Sequence, residues 1–344
     1  MLRDRQPADN DNSVEGSTGA SRWGRIAMPH AALIAVMLCL QTPTSTGRVT
    51  FHPSPRESEV PALFRLTDAT FPFEKQELRV TPGYTVSAIR FPSPVVTADE
   101  ANNTIHAEYF RPNGPGKKSG VIVLHILGAD FALSRYLAAR LADRGVAALF
   151  VKLPYYGERR PVGGQARFLS TDVERSVGSM KQGVLDVRRA ASWLAAQPEI
   201  DAERLGVAGI SLGGIIASIA SAVDPTINRA SILLAGGDLH DVLWTMPEAK
   251  GYRQLWIASG RTKDDLKTLL TPLDPLTYAH GLKGKRILMM AGNVDEVIPP
   301  ASARALWNAS GRPPIVWFDC GHYSAAGILL PAIRQTADFF ANAP

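Results

Sequence analysis

The sequence predicts an α/β fold, with a mostly parallel central sheet, helices on both faces and insertions above the sheet. Three observations carry this. Residues 121–124, 146–151, 286–292 (after its opening Arg286) and 315–318 are short apolar runs, as expected of strands buried on both faces. Between such runs lie stretches of helical period, clearest at residues 131–144 and 184–197. A third signal is Gly209-Ile210-Ser211-Leu212-Gly213, which stands where a strand-like run passes into a small-residue helix.

In chain order, residues 84–91 and 104–111 read as antiparallel edge strands, with Asn113-Gly114-Pro115-Gly116 as a turn. Residues 121–124 form the first long parallel strand. The helix over 131–144 aligns Leu133, Leu137 and Leu141 on one face and stops at Gly145. Strand 146–151 follows, then an insertion over 155–180. The helix over 184–197 turns Val187, Ala191 and Leu194 inward, and Pro198 ends it. Residues 204–208 supply the strand before Ser211, and residues 214–220 the helix after it. A second insertion, 238–285, carries Leu239, Val242, Leu243, Trp244, Met246, Tyr252, Leu255, Trp256 and Ile257. That set suits either a lid with an acyl-pocket wall or an ordinary helical excursion whose aromatics fill core. Asp274-Pro275-Leu276-Thr277-Tyr278 reads as a structural hinge back into strand 286–292.

The chemistry gathers at strand ends. A serine on a sharp strand-to-helix turn has its hydroxyl pushed clear of the backbone, and flanking glycines make room for the turn. The N–H of Leu212, at the helix start, is directed to where charge develops on a substrate oxygen. Serine needs a base, and His322 has an ordinary pKa near neutrality. Asp295 is the expected partner for the other ring nitrogen. Glu296 is adjacent to it and Asp319 lies near His322, so either is a rival. His125 reads as a structural histidine bracing its loop. Cys320, close to His322, reads as a small packed residue while Ser211 holds the turn.

Three blocks carry a family resemblance: Gly209-Ile210-Ser211-Leu212-Gly213, then Gly292-Asn293-Val294-Asp295-Glu296-Val297-Ile298-Pro299, then Gly321-His322. Residues 121–340 resemble the α/β-hydrolase superfamily, most closely its serine esterases and dienelactone-hydrolase-like members. The order serine, aspartate, histidine is that superfamily's order. The resemblance implies a second oxyanion donor in the loop after strand 121–124. Many members have His-Gly there, with the donor next; here Ile126 replaces the glycine, and the donor position is Leu127, with Ile126 left open. Leu153-Pro154-Tyr155-Tyr156-Gly157-Glu158-Arg159-Arg160-Pro161 is similar to the Pro-Tyr-Tyr-Gly-x-Arg-x-Pro stretch of one branch of α/β-hydrolase-domain proteins. The implied activity is hydrolysis of a small-molecule carboxylic ester or acyl substrate through an acyl-enzyme. A peptidase, an acyltransferase or a non-catalytic binding protein on the same fold are the alternatives.

Composition bounds the rest. At 344 residues, 45% hydrophobic and 20% charged, the chain can bury one large core. We expect a catalytic domain over 61–344 behind a non-core N-terminus over 1–60. The net charge of +5 is spread without interleaved aromatics, which argues against a nucleic-acid partner. Arg159, Arg160 and Arg167 read as a solvated face or an acid-substrate contact. Residues 1–21 have the composition of a disordered segment. Residues 31–40 are apolar behind Arg22 and Arg25, too short for an ordinary span but suited to an export signal or an N-terminal anchor. Export or membrane association through that segment is expected, with a cytoplasmic location as the alternative. Pro43, Gly47, Pro53 and Pro55 suggest a linker, with the folded part starting beyond Val60. The two cysteines, Cys39 and Cys320, make no disulfide framework. No His, Cys, Asp or Glu spacing suits a metal, and no cofactor is assigned.

Overall fold

In the computed structural model, which describes residues 44–67, 70–128, 131–170 and 172–342, the apolar runs assemble into one sheet. Its strands are β1 (Thr44–Thr50), β2 (Thr70–Val80), β3 (Tyr84–Pro92), β4 (Thr104–Pro112), β5 (Lys118–Leu124), β6 (Ala147–Val151), β7 (Ile200–Ile210), β8 (Ile227–Leu233), β9 (Arg286–Gly292) and β10 (Ile315–Phe318). The order is β1-β2-β3-β4-β6-β5-β7-β8-β9-β10. The six strands from β6 to β10 in that order pair in parallel, and β1 to β4 are antiparallel. The expected mostly parallel sheet with helices on both faces is present.

Alternation along the strands explains why both faces need cover. In β5, Ile122 and Leu124 join one apolar cluster while Val121 and Val123 join another. The first cluster is closed by α2 (Val173–Ala195) and α3 (Leu212–Val223), through Val184, Val187, Trp193, Ile216 and Ile219. The second is closed by α1 (Ala132–Ala142) and the C-terminal helix Leu329–Ala341, through Leu137, Leu141, Ile333 and Phe340. Gly145, at φ +76°, ends the turn after α1 as expected.

Three expectations are corrected. The stretch read as a linker up to Val60 contains β1, whose Val49 is buried and whose register runs from Thr44 opposite Gln76 to Thr50 opposite Thr70. Beyond β1, Val60 and Phe64 are also buried, and Glu57 pairs with Arg188 of α2 at 2.7 Å. Threonines and one valine suffice for a strand here because a paired neighbour, not a hydrophobic run, supplies the ladder. Second, β3 and β4 are not edge strands, since β3 is paired on both sides and β4 runs between β3 and β6. Third, α2 starts at Val173 rather than near residue 184, so residues 173–180 of the expected 155–180 insertion are its first turns. Asp172 caps it, its carboxylate accepting the Arg175 N–H at 3.0 Å. Glycines 178 and 183 weaken the local helix signal, and packing overrides it.

The 238–285 insertion folds into short helices: α4 (Leu239–Thr245), α5 (Lys250–Ala258), α6 (Lys263–Leu270) and α7 (Pro275–Tyr278). The buried Asp274 ties its two ends together. It accepts N–H groups from Asp238 (3.2 Å) and Leu239 (2.6 Å) at the entry and from Leu276 (2.9 Å) at the exit. After β9, α8 (Pro300–Ala309) leads into β10, and Leu329–Ala341 is α9. Among the described residues no helix is long and apolar enough to cross a membrane. The apolar run 31–40, the disordered-type stretch 1–21 and Cys39 lie outside the described residues.

Candidate active site

The strand-to-helix turn forms because only glycines fit around it. A Cβ on Gly209 would overlap the carbonyl of Gly213, and one on Gly213 would stand 2.7 Å from the carbonyl oxygen of His125. With β7 and α3 this close, Ser211 is forced to φ +53°, ψ −117°, a region that L-residues avoid. The turn is held from both sides, the Ser211 N–H donating to Leu233 of β8 at 2.9 Å and its carbonyl accepting from Ile215 at 2.9 Å.

Two loops at neighbouring strand ends meet this serine. After β9, Asp295 is almost fully buried, and its Oδ1 accepts the N–H groups of Val297 (2.9 Å) and Ile298 (2.7 Å). Its Oδ2 lies 2.9 Å from His322 Nδ1. After β10, His322 Nε2 lies 2.9 Å from Ser211 Oγ. With a neutral imidazole and an ionised Asp295, Nδ1–H donates to Asp295 and Nε2 accepts from the serine hydroxyl. Ser211, His322 and Asp295 therefore stand in one hydrogen-bonded relay at the C-terminal ends of β7, β10 and β9.

The rival acids do other work. Glu296 Oε2 accepts the backbone N–H of His322 at 2.9 Å, and Asp319 accepts from the Asn293 side chain at 2.8 Å. Neither is hydrogen-bonded to the imidazole. The part played by Glu296 had no signal of its own in the sequence beyond its place beside Asp295. Cys320 is buried, and burial pushes its thiol up, reinforced by the charges of Asp295, Asp319 and Glu296. A thiol so placed is a poor nucleophile.

The loop after β5 is braced from below. His125 is fully buried; its Nδ1 lies 2.7 Å from the Ile126 carbonyl and its Nε2 accepts the Leu153 N–H at 3.0 Å. Burial drives its pKa down to about 4, so it is neutral and structural. Farther along, the Gly128 N–H donates to the Tyr156 hydroxyl at 3.2 Å, which links the loop to the Pro154-Tyr155-Tyr156-Gly157 stretch. Leu127 is exposed, and Leu212 opens α3.

The arginine group is corrected. Arg159 is fully buried and paired with the buried Asp186 of α2 at 2.8 Å, and it donates to the carbonyls of Lys152 (3.0 Å) and Asn102 (2.8 Å). Arg167 donates to the carbonyls of Gly164 and Ala166. Arg159 is thus an internal cross-brace, while Arg160 and Arg167 are half-buried, so the three do not form one solvated basic face. The signal for it lay in the narrower likeness at residues 153–161 and not in charge spacing.

Comparison with known proteins agrees with the fold. The family described as Alpha/beta hydrolase domain containing 18 matches over residues 84–235, and the Prolyl oligopeptidase family over 176–310. His322 lies beyond both. Two uncharacterized proteins from strains of Mycobacterium tuberculosis are 29% identical over 199 residues, 56% of this chain and 46% of theirs, so the chain spans about half the length of the curated relatives it matches. Among solved structures, the acetyl xylan esterase from Paenibacillus sp. R4 aligns with TM-score 0.64 at 19% identity, covering 90% of this chain and 99% of that one. Acetyl xylan esterase 1 from Thermoanaerobacterium sp. JW/SL YS485 aligns with TM-score 0.60 at 21% identity, covering 76% and 87%. A puromycin-hydrolyzing peptidase of Mycobacterium tuberculosis aligns with TM-score 0.54 at 15% identity, covering 78% and 45%. At such identities these likenesses speak to fold alone. With both family matches overlapping across the strand-to-helix turn and the sheet order described above, this chain has the α/β-hydrolase fold.

Proposed function

We propose that the chain is a serine hydrolase of carboxylic esters that works through an acyl-enzyme. The observation that carries this is the unbroken relay from Ser211 Oγ to His322 Nε2 (2.9 Å) and from His322 Nδ1 to Asp295 Oδ2 (2.9 Å). Ser211 attacks the ester carbonyl as His322 takes its proton, and Asp295 orients the ring and stabilises the imidazolium. The carbonyl oxygen becomes an oxyanion, held by the N–H of Leu212, which has no acceptor within its own helix. We assign the second donor to Leu127. The Tyr156 hydroxyl accepts the Gly128 N–H, which supports this by pinning the loop beside Leu127, with Ile126 as the alternative donor. Collapse of the intermediate breaks the bond to the alcohol, which leaves with the proton from His322. Water then repeats the sequence, and the acid and the free serine are restored.

Hydrolysis of short p-nitrophenyl esters tests this, with Ser211→Ala expected to lose at least ~10³-fold in kcat. Unchanged turnover in that variant ends the proposal. A fluorophosphonate probe separates a catalytic protein from a binding module on the same fold, because only an activated Ser211 is labelled.

A peptidase is the second reading, favoured by the match to the Prolyl oligopeptidase family over residues 176–310. Aminoacyl-arylamides assayed beside esters discriminate between them. Acyl transfer to an added alcohol outrunning hydrolysis identifies an acyltransferase. The run 31–40 belongs to the proposal as an export signal or anchor, and fractionation of cells expressing the chain with and without it is the test.

A further inference from the structure

The turn that leaves β6 is strained, and a closed circuit of buried polar groups holds it. Tyr155 stands at φ +64°, a region that a bulky L-residue avoids, and its N–H donates to Asn102 Oδ1 at 3.0 Å. Asn102 Nδ2 donates to Gln182 Oε1 at 2.8 Å, Gln182 Nε2 to Ser93 Oγ at 3.1 Å, and Ser93 Oγ to Asp186 Oδ1 at 2.6 Å. Asp186 pairs with Arg159 at 2.8 Å, and Arg159 returns to the Asn102 carbonyl at 2.8 Å. All five side chains are buried. Buried polar groups are tolerated when paired in this way, and the pairing fixes their geometry.

The circuit fixes the place of Tyr156. Its ring stands edge-on to His125, with centroids 4.4 Å apart, and its hydroxyl accepts the Gly128 N–H at 3.2 Å. Between those two contacts the peptide planes of the loop are set one by one. A trans peptide points its carbonyl and its N–H in opposite directions. The His125 carbonyl lies 2.7 Å from the notional Cβ of Gly213, which turns the Ile126 N–H away from α3. His125 Nε2 accepts the Leu153 N–H, so the neutral ring carries its proton on Nδ1 and donates to the Ile126 carbonyl at 2.7 Å. With that carbonyl drawn to a buried ring, the Leu127 N–H points away from the interior. The next peptide carries the Gly128 N–H, and Tyr156 holds it. Gly128 sits at φ +114°, a conformation open to glycine, and without that tie the loop is free to pivot there.

We propose that Tyr156 is a positioning residue for the oxyanion hole, with the circuit through Asn102 and Arg159 as its foundation. This rests on the serine-hydrolase reading above and on Leu127 as the second donor. Tyr156 acts through the loop and not on the substrate. It fixes the peptide beside the donor, so that the Leu127 N–H keeps its aim as negative charge builds on the substrate oxygen. Removing an oxyanion donor outright costs about 10²–10³-fold in kcat. Loosening a donor that remains costs less, about tenfold.

The experiment is Tyr156→Phe, which deletes the hydroxyl and keeps the ring against His125. Turnover of a short p-nitrophenyl ester is read as kcat per serine labelled by a fluorophosphonate at end point. That kcat is expected to fall about tenfold, with KM held within about twofold. Affinity for a trifluoromethyl ketone, whose adduct with Ser211 carries the oxyanion, should fall by the same factor as kcat/KM. Asn102→Ala, which leaves the hydroxyl in place and breaks the circuit, should move the three readouts in the same pattern. A merely structural role would lower the number of labelled sites and leave kcat per site alone. That outcome in Tyr156→Phe overturns the proposal, as does a rise in KM at unchanged kcat. In Asn102→Ala it overturns the part given to the circuit. No ester turnover and no labelling of Ser211 in the wild type overturns the serine-hydrolase reading, and this inference with it.

Discussion

Glu296 accepts the backbone N–H of His322 at 2.9 Å, beside the residue whose carboxylate meets the same histidine's ring. Adjacent acids on the β9 loop thus hold the two ends of one residue, main chain and side chain. Its other oxygen accepts the Tyr323 N–H at 3.3 Å, so the whole turn at 321–323 is tied to β9.

Glu296→Ala removes those acceptors and frees the turn. We expect kcat for ester hydrolysis to fall about tenfold, because a misplaced base costs more than a weakened contact. KM should change little, and Glu296→Gln, which keeps one acceptor, should recover most of the loss. Steady-state kinetics on the three proteins decide it, and an unaffected kcat in the alanine variant removes the positioning role.

The strained backbone at Ser211 has a stability consequence. A non-glycine residue at φ +53° costs on the order of 1–3 kcal/mol. Ser211→Gly relieves this while Ser211→Ala does not, so the glycine variant should be the more stable by about 1 kcal/mol after its larger unfolded-state entropy is subtracted. Urea unfolding of the two variants measures the difference. Equal midpoints would mean that the turn carries no strain.

His125 should make the fold acid-sensitive. Burial lowers its folded pKa to about 4, below the ordinary value of 6.5. Stability from keeping the ring neutral is therefore fully present above pH 6.5 and is lost as the pH falls towards 4. The linked loss approaches about 3 kcal/mol at the lower end. Unfolding midpoints at pH 7 and 4.5, compared between the wild type and His125→Gln, isolate this contribution. The variant should show the shallower dependence.

Arg159 and Asp186 are both fully buried. Arg159→Met should cost about 3–5 kcal/mol, since it leaves a carboxylate in the interior with one of its charge partners removed. Adding Asp186→Leu should return part of that loss, because the uncompensated charge is then gone. If the double variant is no more stable than Arg159→Met alone, the pair does not act as a unit.

Much of the architecture was legible because it is written in neighbouring residues. The apolar runs 121–124 of β5 and 287–292 of β9 show their burial on both faces, and helix α1 shows its inward stripe. The first turns of α2 were hidden by Gly178 and Gly183, and β1 by a composition of threonines, a glycine and an arginine. Both form because a partner distant in sequence supplies what local propensity lacks: α3 and the sheet for α2, and the β2 ladder for β1.

The sequence alone determined the strand-to-helix turn at Ser211 and the order in which an acid and a histidine follow it, since both depend on local periodicity and on glycine spacing. It also restricted the acid to Asp295, Glu296 or Asp319. Only the tertiary structure decided which carboxylate lies beside the imidazole, that Glu296 holds the main chain, and that Arg159 is interior. Those choices turn on ångström differences between groups brought together from separate strands, and such differences follow from how the strands pack and not from any residue's near neighbours.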